Sequence, residues 1–352
     1  MKRRPFLKSL AMASGLTMAS PLEVFAKNRK SSQFELPIVK PPRLRKGNTI
    51  GLVAPAGRIS ETLFERSKEN LENLGFRIKY TERLFARHRS FAGDDKTRAQ
   101  DLEEMFTDPE VRGIMCVRGG WGSARILPHL NFKVIKRNPK AFIGFSDITT
   151  LSYVFFAEAG LVTFHGVNSA TSFNEYTTEN FNKVLVHPSP NSHLYTADEE
   201  RTESEYQTNV IKSGVATGRL VGGNLSIMVT ALGTPYDIDT RGKLIFIEEV
   251  REEPYRIDRM LTHMRKAGKF DEAAGVVLGV FRGCHPRNED SAGFSLQEVL
   301  YDRLHDLGIP VIYGMSFGHV VNKLTFPFGI RAELNTVHRR VTLLEEAVVA
   351  VN

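Results

Sequence analysis

Ala141-Phe142-Ile143-Gly144-Phe145-Ser146-Asp147-Ile148-Thr149-Thr150-Leu151 is the stretch whose reading decides the fold. Ala141 to Phe145 is continuously apolar apart from one glycine, the form taken by a strand covered on both faces by helices. From about Ile148 to Ala159 the pattern becomes helical. A buried strand running straight into a helix is the repeating unit of an α/β sheet. The junction residues then lie at the carboxyl edge of that sheet, where such sheets bind ligands.

The same alternation extends outward in both directions. Thr49 to Ala54 reads as a first strand, followed by Leu63, Ser67, Leu71 and Leu74 at helical spacing until Gly75. Phe76 to Tyr80 is a second strand. Ala99, Leu102, Met105 and Phe106 mark a helix closed by Asp108-Pro109, and Gly113 to Val117 and Leu161 to Phe164 are further strands. Later in the chain, Gly222-Gly223-Asn224 opens an apolar helix. Leu244 to Ile247, Val276 to Phe281 and Val311-Ile312 read as strands, and Ile257, Met260, Leu261 and Met264 share one helix face.

The expectation is therefore an α/β protein of two domains: an open parallel sheet in an N-terminal domain over residues 45–167, and a second α/β domain over 214–350. Residues 168–213, rich in Ser, Thr, Asn, Glu and Pro, read as a linker or irregular excursion. Residues 1–26 read as a targeting signal of twin-arginine type, with a basic start at Arg3-Arg4, a short apolar middle and small residues ending at Ala26. Cleavage there would place the mature chain in the periplasm.

The formal charge of the 352-residue chain is +7, and +4 remains without the first 26 residues, which carry four Lys or Arg and one Glu. That small excess, with no basic cluster or zinc-finger spacing, excludes the usual forms of nucleic-acid binding. No apolar run reaches the roughly 20 residues of a spanning helix. The two cysteines, Cys116 and Cys284, read as buried thiols rather than a disulfide framework. Neither a metal motif nor a need for a cofactor is found.

Four segments carry chemistry. Gly144-Phe145-Ser146-Asp147 has the context of a nucleophile elbow, although Ile148 stands where a second glycine is usual, and Ser146 could equally cap the helix. Arg118-Gly119-Gly120-Trp121-Gly122-Ser123 follows a strand and would expose backbone N–H groups able to hold an anion, or would form a plain glycine turn. Leu244 to Ile247 ends in Glu248-Glu249, well placed to orient a histidine. His319, after Gly318, and His165 are the two histidines that follow apolar strands.

Together with Gly51-Leu52-Val53-Ala54-Pro55-Ala56, Gly222-Gly223-Asn224-Leu225 and Glu253-Pro254-Tyr255-Arg256-Ile257-Asp258, these segments resemble, in order, the LD-carboxypeptidase family of serine peptidases. The resemblance implies Ser146 as nucleophile, Glu248 as triad carboxylate and His319 as base, in a cleft between the two domains. It implies an oxyanion hole of backbone N–H groups, placed at Gly120 and Asp147, and a homodimer. The implied activity is release of the terminal D-alanine from a muropeptide or peptidoglycan-derived tetrapeptide. A carboxypeptidase must also bind a free carboxylate; Arg118, Trp121 and Asn224 are the candidates for substrate binding. Trp121 stands where the family often has Tyr, Glu249 where it often has Asp, and the export signal departs from the family's cytoplasmic habit. Competing readings are a hydrolase of microcin-like peptide-nucleotide conjugates and a non-catalytic muropeptide-binding protein.

Overall fold

Strand and helix alternate through the first half as the apolar pattern predicts. The order is β1 (Thr49–Val53), α1 (Glu61–Asn73), β2 (Arg77–Lys79), α2 (Asp95–Thr107), β3 (Val111–Cys116), α3 (Phe132–Arg137), β4 (Ala141–Gly144), α4 (Thr149–Ala159) and β5 (Phe164–His165). Then follow α5 (Glu175–Leu185), β6 (Ser192–Tyr195), β7 (Asn209–Lys212), β8 (Val215–Asn224), α6 (Leu225–Ala231), β9 (Lys243–Val250), α7 (Pro254–Lys266) and β10 (Gly275–Arg282). The chain continues through α8 (Leu296–Leu304), β11 (Val311–Met315), β12 (Phe326–Pro327), β13 (Arg331–Asn335) and β14 (Arg340–Leu343). This computed structural model describes residues 37–197, 204–287 and 293–350, which belong to one compact unit. The expected targeting signal at 1–26 lies outside the described residues. No helix among those residues is long and apolar enough to cross a membrane.

Local chemistry sets the helix ends. Ser60 and Asp94 accept hydrogen bonds from the Leu63 and Thr97 amides as N-caps, and Gly75, at φ +85°, follows the end of α1. Lys140 Nζ donates to the carbonyls of Met105 and Asp108, which lie at the C-terminus of α2 and just past it.

Two sheets result. The first has the order β12-β5-β4-β3-β1-β2 and the second β6-β14-β13-β8-β9-β10-β11-β7. In the first, β2, β1, β3, β4 and β5 are parallel, but β12, contributed from late in the chain, pairs antiparallel with β5. The expected all-parallel sheet is thus closed at one edge by a strand of the other half. In the second, β8 to β11 are parallel while β13, β14, β6 and β7 add antiparallel edges.

Residues 168–213 depart from the expected irregular excursion. They contain α5, β6 and β7, because Asn174 caps a helix that buries Phe181, Val184 and Leu185, and Thr177 and Asn180 are buried beside them. Polar composition hid a helix whose buried face is partly polar. The strand expected at Leu161 to Phe164 is shorter and sits later, at Phe164–His165, with Leu161 in an isolated bridge to Val39.

The sheets meet at a close approach. A side chain at Gly223 would stand 2.4 Å from Thr149 Cγ2, and the Asn224 amide donates to Thr149 Oγ1 at 3.1 Å. Around Phe246, on the central strand β9, the rings of Phe317, Phe326, Phe328 and His165 lie 5.1–6.1 Å away. Full burial of each phenylalanine contributes about 1.5–3 kcal/mol. This cluster joins residues from both halves behind the site.

Candidate active site

Ser146 stands at the junction of β4 and α4 with φ +68°, in the left-handed region that a non-glycine residue rarely adopts. Such a backbone costs about 1–3 kcal/mol and persists only where neighbours hold it. The neighbours are visible. A Cβ at Gly144 would meet Ile148 Cγ2 at 2.7 Å, and one at Gly119 would lie 2.9 Å from Ser146 Cβ. Ile148, in place of the usual second glycine of an elbow, is fully buried against the first.

His319 and Glu248 arrive from the other half of the chain. Glu248 lies near the end of β9, fully buried, and His319 follows Gly318 in the loop after β11. His319 Nδ1 is 2.7 Å from Glu248 Oε2, and Nε2 is 3.1 Å from Ser146 Oγ. A carboxylate only accepts, so Nδ1 carries the proton and Nε2 accepts from the serine hydroxyl. Burial drives the Glu248 carboxyl upward. The electrostatic interaction and hydrogen bond with His319, with lesser help from the Asn224 side-chain amide, outweigh it, so the group sits below its usual value and stays ionised.

The glycine loop lies directly against Ser146. Gly120 adopts φ +127° and Gly122 φ +96°. Asp147 ties this loop to the elbow: its Oδ2 accepts from the Ser123 amide at 2.8 Å, and Ser123 Oγ donates to the Asp147 carbonyl at 2.7 Å. Burial raises the Asp147 carboxyl despite the Ser123 and Gly122 donors. The buried Arg98 adds a second tie, donating to the Pro55 and Gly122 carbonyls at 2.5 and 3.0 Å. Neither tie is evident in the sequence, which marks Asp147 as an oxyanion-hole amide or as part of a helix cap.

The candidate substrate-binding residues divide. Trp121 is 56% exposed and packs edge-on against Phe91 at 4.3 Å. Arg118 is exposed and donates only to the carbonyls of Gly119 and Arg58 at 3.3 and 3.5 Å. Its charge is therefore not matched by a carboxylate among the described residues. Asn224 is buried: its Oδ1 accepts from the Ile227 amide as the N-cap of α6, and its Nδ2 donates to Glu249 at 3.0 Å. These bonds tie the start of α6 to the end of β9. Glu249 is likewise spent on the amide and hydroxyl of Ser226 at 2.8 and 2.7 Å.

His165, the second candidate histidine, is fully buried, and burial lowers it to about 4, so it is neutral. It does not join the chain of hydrogen bonds through His319. Cys116 and Cys284 are free and buried, and burial pushes both thiols up, Cys284 to about 12. The described residues thus contain no bridge between them.

This architecture agrees with two domain models, the LD-carboxypeptidase N-terminal domain at residues 50–166 and the LD-carboxypeptidase C-terminal domain at 217–334. The chain belongs to the LD-carboxypeptidase family. It is a serine-type carboxypeptidase. A probable murein peptide carboxypeptidase of Bacillus subtilis is 38% identical over 309 residues, covering 86% of this chain and 94% of the relative. The structure of a muramoyltetrapeptide carboxypeptidase from Oxalobacter formigenes matches with a TM-score of 0.73 and 27% identity, over 84% of this chain and 98% of that one. The wild-type apo structure of the microcin C7 self-immunity protein MccF matches with a TM-score of 0.79 and 26% identity, over 88% of this chain and all of the other. A protein of that name from Escherichia coli is 29% identical over 340 residues, 88% of this chain and 96% of the relative.

Proposed function

We propose that this chain is an LD-carboxypeptidase releasing the terminal D-alanine from the tetrapeptide stem of peptidoglycan fragments, with Ser146, His319 and Glu248 as its triad. The observation that carries the reading is the unbroken series Ser146 Oγ, His319 Nε2, His319 Nδ1 and Glu248 Oε2, at 3.1 and 2.7 Å, in a chain of this family. A binding protein has no need of such a series. The name of the Bacillus subtilis relative supports the murein substrate.

In this mechanism His319 Nε2 takes the Ser146 proton as Oγ attacks the peptide carbonyl. The Gly120 and Asp147 amides receive the oxyanion, and the protonated imidazole returns its proton to the leaving D-alanine amine. Glu248 holds the imidazole in the required tautomer and balances its charge. Water, deprotonated by His319, then hydrolyses the acyl-enzyme. Arg118, with its unmatched charge beside the glycine loop, binds the terminal carboxylate, and Trp121 gives the substrate an apolar wall.

Mass spectrometry of a muramyl tetrapeptide incubated with the mature chain and with Ser146→Ala tests the reading. Loss of one D-alanine with the wild type alone is expected. An intact tetrapeptide, with cleavage of a peptide-nucleotide conjugate, would instead favour the second reading, which the fold likeness to MccF supports. Export by residues 1–26 belongs to the same proposal and places the enzyme in the periplasm. Replacement of Arg3-Arg4 by two lysines should leave the chain in the cytoplasm; unchanged periplasmic recovery would reject the twin-arginine route.

A further inference from the structure

The base sits on a loop whose carbonyls are held by two cations. Lys323 is buried, and its Nζ donates to the Gly318 carbonyl at 2.9 Å and to the Val320 carbonyl, the two that flank His319. Arg282 Nη1 donates to the carbonyl of His319 itself at 3.2 Å. Three successive carbonyls therefore end on side-chain cations. The Lys323 ammonium also lies 4.9 Å from the centroid of Phe145, whose ring is 5.0 Å from the His319 imidazole. Phe145 directly precedes Ser146.

The rest of the loop is pinned to α5. The Lys323 amide donates to Thr177 Oγ1 at 3.0 Å, and that hydroxyl donates to the Val321 carbonyl. An ammonium in such a place is costly to desolvate, and a methionine would fill the same space without that cost. Two carbonyls, one aromatic face and the nearby Glu248 carboxylate are what the charge gains in return.

We propose that Lys323 is a positioning residue for His319: its ammonium clamps the carbonyls on either side of the base and the Phe145 ring against it, fixing the imidazole in line between Ser146 and Glu248. The proposal rests on His319 acting as base toward Ser146. The charged groups facing the ammonium are Glu248, which favours its charge, and Arg282, which opposes it; the neutral His165 lies nearby. Burial lowers Lys323 to about 8. Its charge, and with it the clamp, weakens above that pH.

The test uses a serine-directed fluorophosphonate, which reads Ser146 reactivity without any choice of peptide substrate. Wild type should label, and Ser146→Ala should not. Folded Lys323→Met should label roughly tenfold to a hundredfold more slowly, with the loss in the rate constant and not in probe saturation, as for a misplaced base. Wild-type labelling should decline above about pH 8 with unchanged circular dichroism, and Lys323→Met should lack that decline. Labelling of folded Lys323→Met within about twofold of wild type would overturn the clamp while leaving the nucleophile in place. A flat wild-type profile to about pH 10 would overturn it even if the variant failed to fold. No labelling of the wild type at Ser146 would remove the nucleophile reading and the clamp together.

Discussion

Gly318 and Glu248 are so close that no side chain fits between them: a Cβ at 318 would lie 2.6 Å from Glu248 Oε2, the oxygen that accepts the hydrogen bond of His319 Nδ1–H. Gly318 also holds φ +98°. Gly318→Ala therefore both strains the backbone and displaces the carboxylate. Turnover should fall at least about a hundredfold, with a stability loss of about 1–3 kcal/mol. Steady-state kinetics and urea unfolding of the same preparation check both. Wild-type turnover in the alanine variant would show that Glu248 and His319 do not need this approach.

Ser146 offers a separation of activity from strain. Ser146→Ala keeps the left-handed backbone with its cost, whereas Ser146→Gly is free of it. Both variants should be inactive toward tetrapeptide. Ser146→Gly should be more stable than Ser146→Ala by about 1 kcal/mol. Thermal unfolding decides it; equal stability would mean that the elbow is relaxed.

Arg118 and Trp121 are exposed and take no part in the hydrogen bonds of Ser146, Glu248 and His319. Arg118→Ala should raise KM for a free-carboxylate substrate roughly tenfold with little change in kcat, as expected when an interaction equal in ground and transition states is lost. A C-terminally amidated substrate should be insensitive to the change. A kcat loss with KM unaltered would move Arg118 from binding to chemistry.

Stability at alkaline pH follows from Lys323. Its folded value of about 8 lies below the ordinary lysine value of 10.5, so between them the unfolded chain binds the extra proton. Stability must then rise with pH across that interval, and the contribution is lost as pH falls through 8. Lys140, also lowered by burial to about 8, acts in the same direction. The difference between wild type and Lys323→Met in urea unfolding isolates Lys323: the wild type should gain on the variant as pH rises above 8. A constant difference would show that the ammonium is not desolvated in the native state.

Much of the site was legible along the chain because each part is local. A buried strand ending in Ser146, another ending in Glu248, and a glycine before His319 are patterns of a few residues, and periodicity places each at a sheet edge. Residues 168–213 show where this reading stops. Thr177 and Asn180 are polar by composition and buried by contact, and no window of sequence states which polar side chains will find partners.

By itself, the sequence determined the alternation of strand and helix, the residue types able to perform acyl transfer and the resemblance that ordered them. Only the tertiary structure brought His319 within 3.1 Å of Ser146, tied Asn224 and Glu249 to the start of α6, and set Lys323 against the carbonyls that flank His319. His319 and His165 follow strands alike in apolarity, yet one ring meets a carboxylate and a serine while the other lies among phenylalanines. The difference comes from the packing of two sheets across residues 71 and 173 positions apart. Hydrogen bonds at that separation depend on where the chain has been brought, a property of the whole fold that no local pattern encodes.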